Sequence, residues 1–249
     1  MDARTTYKHF SQFYDSYTEG FNSDISIYKY LIKDHKHIIE VGCGTGRVLK
    51  ELANDNIFLT GVDVSMEMLE IAKDKLKYLT GNNSIKIFEH DFSIDYIKHK
   101  YDICLVTWFT FNYISKNSVT FLKNIRKSLH KGSLIVLDMF YPQTLKQPKN
   151  NNIWIEKEIK INNKNYLLKD KRNVINNIEE RIQIFETEGN IQEIITERFY
   201  YSKQDIQKKL QEAGYSEIKI IDEYDIVSMH VLELNEKTEN SYICIAKNE

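Results

Sequence analysis

Two hydrophobic rhythms run along the chain, and the change between them divides it. From residue 37 to 140, short near-continuous apolar runs alternate with segments whose apolar residues recur at helical spacing. The runs are residues 37–41, 57–62, 85–88, 101–106 and 133–140. Between the second and third, Ser65 is placed to cap a helix carrying Met68, Leu69, Ala72 and Leu76 on one face. After the fourth, Ser118 opens a helix presenting Val119, Leu122, Ile125 and Leu129, with Gly132 where a C′ glycine belongs. Apolar strands alternating with helices predict a parallel sheet covered on both faces. Such sheets bind ligands beyond the carboxyl ends of their strands.

The rhythm changes after Pro142. From Ile153 to Tyr201 the chain shows β-branched, alternating stretches broken at Asn162-Asn163, Asn176-Asn177 and Gly189-Asn190. These predict an antiparallel meander, and its alternation of apolar and charged residues predicts one wet face. Ser202-Lys203-Gln204-Asp205 reads as the capping box of a helix that runs to Ala213 and ends at Gly214. Two last strands follow, near 217–224 and 241–246. The fold class is therefore α/β, with the meander inserted before the last helix.

Composition narrows the setting. The 249 residues are 42% hydrophobic, enough for a real core in one domain, and the formal net charge is −2. A nucleic-acid binder usually carries a basic footprint, and none shows in the whole-chain charge. The run from Lys157 to Lys171 is interleaved with acids and asparagines and reads as a solvated face. Cys43, Cys104 and Cys244 have no metal-ligand spacing, and the last two sit in apolar runs as small core residues. The N-terminus lacks the apolar stretch of a signal peptide, and no run approaches the ~20 residues that span a bilayer. The expectation is a cytoplasmic protein with no membrane partner.

The candidate chemistry begins at Ile38-Ile39-Glu40-Val41-Gly42-Cys43-Gly44-Thr45-Gly46. Bare main chain at the tip of a buried strand lets a nucleotide-like ligand lie on the backbone, and a helix from about Arg47 to Ala53 points its free N–H groups there. The spacing is GxGxG, with Arg47 in the place of the last glycine of a dinucleotide fingerprint, and no Gly-Lys-Ser/Thr follows. This favours a ligand with a ribose and no pyrophosphate. Asp63, 21 positions after Gly42 at the end of the second strand, stands where an acid takes a ribose diol; alone it reads equally well as a turn residue.

The sequence here resembles the class I S-adenosylmethionine-dependent methyltransferases. The resemblance rests on Glu40-Val41-Gly42-Cys43-Gly44-Thr45-Gly46, on Gly61-Val62-Asp63-Val64-Ser65-Met66-Glu67-Met68-Leu69, and on His90-Asp91-Phe92. It implies a Rossmann-like, mostly parallel seven-stranded sheet with helices on both faces, and S-adenosylmethionine as cofactor. Glu40 and the glycines Gly42, Gly44 and Gly46 would hold its methionine part, Asp63 its ribose, and Asp91 and the Phe92 backbone its adenine. Val64 and Met68 would line the same site, and Thr107 would lie near the sulfonium end. Met68 also reads as core filling, and Asp91 as a cap or turn residue. The division implied is a single domain over 1–249. It comprises a helical lid at 1–34, a cofactor-binding core at 35–140, an inserted substrate-side sheet at 150–201, and the rest of the core at 202–249.

Methyl transfer is an in-line displacement, so the protein mainly aligns the acceptor and excludes water, and an amine acceptor must also be neutral. Two segments offer acceptor-side groups. In the aromatic N-terminus, Tyr14-Asp15 resembles a pair found early in small-molecule methyltransferases, with Tyr14 at the site and Tyr17 on the substrate. After the fourth strand come Trp108, Asn112 and Tyr113. This segment loosely resembles that of deoxyaminosugar N,N-dimethyltransferases, which place a histidine near Tyr113; helix-start packing is the other reading of Tyr113. The Asp/Asn-Pro-Pro-Tyr motif of DNA amino-methyltransferases is absent. Tyr14, Tyr113 and His230 are the acid–base candidates. His35, His37, His90 and His99 read as surface or supporting residues.

The expected activity is methyl transfer to a small-molecule acceptor, at an amine nitrogen first and a hydroxyl second. An RNA or protein methyltransferase is the competing class, and it needs a basic groove at the fourth strand's end, where the sequence supplies Lys116, Lys123, Arg126 and Lys127. A nicotinamide oxidoreductase is disfavoured by the glycine spacing, and a non-catalytic cofactor binder stays open. Pairing of two copies through the inserted sheet is compatible with this reading.

Overall fold

The computed structural model describes residues 10–11, 13–16, 18, 22, 24–54, 56–79, 85–115, 117–142, 151–222 and 241–249. Among these, seven strands form one sheet and four form another. Strands β1 (His37–Val41), β2 (Phe58–Asp63), β3 (Ile85–Glu89), β4 (Tyr101–Val106) and β5 (Leu129–Phe140) run parallel; β10 (Tyr215–Asp222) and β11 (Ser241–Asn248) close one edge, with β11 antiparallel to β5. The spatial order is β10-β11-β5-β4-β1-β2-β3.

Near-continuous apolar strands bury both of their faces. On one face Ile38, Leu59, Ile103, Leu105, Val136 and Ile243 pack with residues of α1 (Ile25–Ile32), α2 (Arg47–Leu52) and α3 (Met66–Leu76). On the other, Ile39, Cys104, Val106, Leu137 and Cys244 pack with α4 (Ser118–Lys127) and α5 (Lys203–Glu212). Local signals set the helix starts. Ser65 accepts the N–H of Met68 at α3, and Ser202 and Asp205 form the expected capping box at α5.

Two boundaries differ from expectation. Helix α4 ends at Lys127, and Leu129 already belongs to β5. Gly132 is not a helix cap but the left-handed residue (φ 85) of a bulge, where Tyr101 pairs with Leu129 but Ile103 pairs with Leu134.

The second sheet is the meander β6 (Trp154–Ile161), β7 (Lys164–Ile175), β8 (Ile178–Thr187) and β9 (Asn190–Phe199). Asn162-Asn163 and Asn176-Asn177 form its first two turns with all four residues at positive φ, as type I′ turns require. The third turn is Glu188-Gly189, one residue earlier than expected, because Thr187 pairs with Asn190.

The expected wet face is kept in β6, where Glu156, Glu158 and Lys160 are exposed and Ile161 is buried, but part of β8 departs from it. In β8 the charged and polar positions Glu179, Arg181 and Gln183 are buried, while Ile178 is exposed and Ile182 and Ile184 are half-buried. Over Ile178–Ile184 the polarity is reversed, because these polar positions have partners there: Glu179 accepts from Tyr200, and Arg181 pairs with Asp170. At the sheet's other end Phe13 stacks on Phe185 at 5.1 Å and meets Tyr166 edge-on, which docks the N-terminal segment.

Candidate active site

Strand β1 pairs with β2 on one side and β4 on the other, so the loops leaving β1 and β4 diverge at their carboxyl ends. The cavity there is lined by Tyr14, Val41, Gly42, Gly44, Asp63, Val64, Met68, His90, Asp91, Phe92, Trp108, Thr110, Tyr113, Ile114 and Phe121. It thus gathers tips of β1, β2, β3 and β4 with one residue of the N-terminal segment.

The predicted residues divide into three groups. Tyr14, Gly42, Gly44, Asp63, Val64, Met68, Asp91, Phe92, Trp108 and Tyr113 line the cavity. Glu40, Gly46, Thr107 and Asn112 stand behind it. Tyr17 and His230 lie outside the described residues.

The glycine loop is shaped by close packing. Gly42 has φ +75, and a Cβ there would meet the Thr110 side chain at 2.4 Å. Gly46 caps α2 at φ 79, but its bare face turns to Leu76 and Ala72 of α3, so it serves helix packing. Asp63 holds the loop: Oδ2 accepts the N–H of Gly44 and Oδ1 that of Ser65, both at 2.9 Å. Burial raises the Asp63 carboxyl above its usual range. Asp91 accepts the N–H of Ser93 at 2.8 Å, so its turn role and its place on the cavity wall coexist.

Glu40 is 2% exposed and accepts the Thr107 hydroxyl at 2.7 Å through Oε1, while its Oε2 has no hydrogen-bond partner. Burial pushes its carboxyl up to about 8. A carboxylate oxygen left without a donor is costly unless a cation approaches it, so Glu40 fits the ammonium of an amino-acid-like ligand. With two bare glycines and Asp63 beside it, the donor set fits S-adenosylmethionine.

Several site residues carry no local sequence signal. His90, expected at the surface or in support, is on the cavity wall, edge-on to Phe92 at 4.5 Å. His37 and His99 instead lie at the opposite, amino ends of β1 and β4. Asp138 accepts the Tyr28 hydroxyl at 2.7 Å and the N–H of Trp108 at 3.1 Å. Trp108 and Phe109 hold φ of 52 and 61, a left-handed pair that for such bulky residues stores about 1–3 kcal/mol each. Arg47 helps to hold them: its guanidinium lies 4.3 Å over the Trp108 ring and pairs with Asp24. An acid in the fifth apolar run, Asp138, was the one visible hint. Asn112 is buried, donating its amide to the carbonyls of Phe140 and Phe199 and accepting from the Phe140 N–H, so its side chain ties the two sheets together.

Tyr14 sits near Gly44, and its neighbour Asp15 accepts from Thr45 and Lys75, which fastens the N-terminal segment across the glycine loop. Burial raises the Tyr14 phenol above its usual range. Tyr113 accepts the Nε–H of Arg198, from β9, at 2.9 Å. Of the basic residues needed for a nucleic-acid groove, Arg126 and Lys127 sit at the far end of α4, next to Glu249 and Tyr96, away from the cavity. Lys116 lies outside the described residues. No helix among the described residues is long and apolar enough to cross a membrane.

Comparison with known proteins agrees with this geometry. Residues 38–132 match the family described as "Methyltransferase domain". A putative methyltransferase of Geobacillus sp. is 35% identical over 77 residues, covering 28% of this chain and 31% of that protein. The alignment therefore spans less than a third of that relative. An S-adenosylmethionine-dependent methyltransferase of Clostridium acetobutylicum has the same fold, with TM-score 0.73, 20% identity, and 97% and 98% of the two chains covered. So has the sugar N-methyltransferase KedS8 of Streptoalloteichus sp., with TM-score 0.69, 12% identity, and 95% and 92% covered.

Proposed function

We propose that this chain, whose residues 38–132 match a methyltransferase domain, is an S-adenosylmethionine-dependent methyltransferase acting on the amine nitrogen of a small molecule. The observation that carries the reading is the cavity at the strand tips. It joins two bare glycines, Asp63, Asp91 and Tyr14 with Val41, next in the chain to Glu40, whose Oε2 has no hydrogen-bond partner. The cofactor, when bound, supplies a methyl group already activated on sulfonium. Glu40 holds the ammonium, the Gly42–Gly44 main chain lies against the amino-acid part, and Asp63 accepts from the ribose. Asp91 and the wall formed by Met68, His90, Phe92 and Phe121 take the adenine.

The acceptor lies at the Trp108–Tyr113 end. Tyr14 from the N-terminal segment and the meander behind Tyr113 exclude water from it, which favours alignment over hydrolysis. Tyr113, a polar residue of the cavity wall whose oxygen accepts from Arg198, serves proton transfer from an amine. An aminosugar-like acceptor is supported by the shared architecture with a sugar N-methyltransferase. Transfer of tritiated methyl from S-adenosylmethionine, screened over amines, aminosugars, phenols and tRNA, tests the proposal. Label is expected in a small amine; label in phenols alone would move the reading to oxygen, and label in tRNA alone would overturn it.

A further inference from the structure

Four consecutive residues after β4 lead into the acceptor end of the cavity, and each is tied to a different part of the fold. The Thr107 hydroxyl donates to Glu40 of β1, and the Trp108 N–H donates to Asp138 of β5. Phe109 packs with Phe140 and Tyr200, and the Thr110 side chain occupies the space that a Cβ on Gly42 would need. Trp108 is half-buried and lines the cavity. Its left-handed backbone, shared with Phe109, persists only where the surroundings impose it.

Asp138 is fully buried and uses one oxygen for two donors. Oδ2 accepts the Tyr28 hydroxyl at 2.7 Å and the Trp108 N–H at 3.1 Å. Oδ1 has no hydrogen-bond partner among the described residues. The face that Asp138 shares with Val136 and Ile243 is otherwise apolar core beneath α1, and burial pushes its carboxyl up to about 7. A half-satisfied acid in such a place costs stability, so the core does not account for it. What it does is receive the Trp108 N–H, with Tyr28 of α1 fixing the carboxyl. A second line of contacts ends on the same residue: Asp24, at the start of α1, accepts from Arg47 at 2.8 Å, and the Arg47 guanidinium lies 4.3 Å over the Trp108 ring. One line holds the backbone of Trp108 and the other its ring. Neither Tyr28 nor Asp138 is among the described residues lining the cavity.

We propose that Tyr28 and Asp138, with Asp24 and Arg47, are positioning residues through which α1 sets where Trp108 stands at the acceptor end of the cavity. This rests on the methyltransferase reading for the meaning of that end, and adds a determinant of acceptor fit that lies outside the wall itself.

Trp108 is its own reporter. The chain has two tryptophans, and Trp154→Phe, at the exposed start of β6, leaves Trp108 alone. In that background, emission excited where tyrosine does not absorb, and its quenching by acrylamide, are measured on the full chain, free and saturated with S-adenosylhomocysteine. Tyr28→Phe, which removes only the hydroxyl, and Asp138→Leu are expected to shift the emission to longer wavelength and to make it easier to quench. Asp138→Asn, which keeps an acceptor for the Trp108 N–H, is expected to restore most of the parent signal. Tyr30→Phe, at an exposed position of the same helix, is expected to leave it unchanged. Calorimetry with S-adenosylhomocysteine is expected to show unchanged affinity in Tyr28→Phe, which also shows that this variant is folded. Emission unmoved in both Tyr28→Phe and Asp138→Leu overturns the inference. So does emission that moves only in step with lost S-adenosylhomocysteine binding, or that moves as far in Asp138→Asn as in Asp138→Leu. Failure of the parent chain to bind S-adenosylhomocysteine would strike the methyltransferase reading instead, and the ligand-free emission would still test the positioning.

Discussion

The two sheets differ in what they bury. In the parallel sheet every inward position of β4, from Ile103 to Val106, is apolar and buried, and its polar residues gather at the strand tips. In the meander the buried side is mixed: Leu168, Phe185 and Ile194 share it with Asp170, Glu179 and Arg181, while isoleucines such as Ile178 and Ile191 are exposed. Apolar burial of the first kind stabilises by about 25 cal/mol per Å² and is indifferent to function. A buried ionic face contributes little net stability, because desolvation offsets the attraction. The charged part of that face is best understood by what it touches, and here it reaches the cavity wall through Arg198 and Tyr113.

Breaking one partner of the meander's ionic face is expected to do most harm. Asp170→Asn strands Arg181 and should destabilise by about 3–5 kcal/mol in denaturant unfolding. Replacing the pair together, Asp170→Leu with Arg181→Met, should lose less than either single change; a loss equal to the sum of the two would show that the pair is not coupled. In the parallel sheet no such rescue exists. Leu105→Ala is expected to cost about 2–5 kcal/mol, since it opens a cavity in a closed core.

At the boundary between the regions, Asp63→Ala should weaken S-adenosylhomocysteine by about 1–3 kcal/mol without unfolding the chain, as expected for a buried acceptor of ligand hydroxyls. Unchanged affinity would remove Asp63 from the site. Glu40 sharpens the contrast through pH. Its carboxyl rises from its ordinary 4.5 to about 8 on folding, so the folded state binds the extra proton. The penalty of burying the charge is absent below the unfolded value, grows as pH rises from about 5 to 8, and is constant above. Thermal unfolding of the free protein should therefore fall over that window, and Glu40→Gln should flatten the fall. The smallest effect belongs to the outer meander face, where Ile191→Lys should change stability by no more than about 0.5 kcal/mol.

The regions also differ in how much of them could be read in advance. The parallel sheet, its cap at Ser65 and its tip residues Gly42, Gly44, Asp63 and Asp91 follow from apolar runs and their punctuation, because one physical term, burial of continuous strands, decides them. The meander's strands and two of its turns follow from Asn-Asn positive-φ chemistry. Its facing does not, since Ile-Glu-Glu-Arg-Ile-Gln-Ile has the same alternation whichever side goes in, and only contact with Tyr113 and Phe140 settles it. Long-range polar partners such as Tyr28–Asp138 and Arg198–Tyr113 left no local trace, because each joins residues far apart in sequence. Asn112 reads as a site residue in sequence, yet its amide is spent on backbone carbonyls that only the fold brings near.

The central claim, that the tips of β1, β2 and β4 cradle an adenosyl amino acid, is tested most directly by titrating the purified chain with S-adenosylhomocysteine and with NAD in a calorimeter. Saturable binding of the first at one site per chain, and no heat from the second, is the predicted result. Binding of NAD, or of neither, would contradict the account.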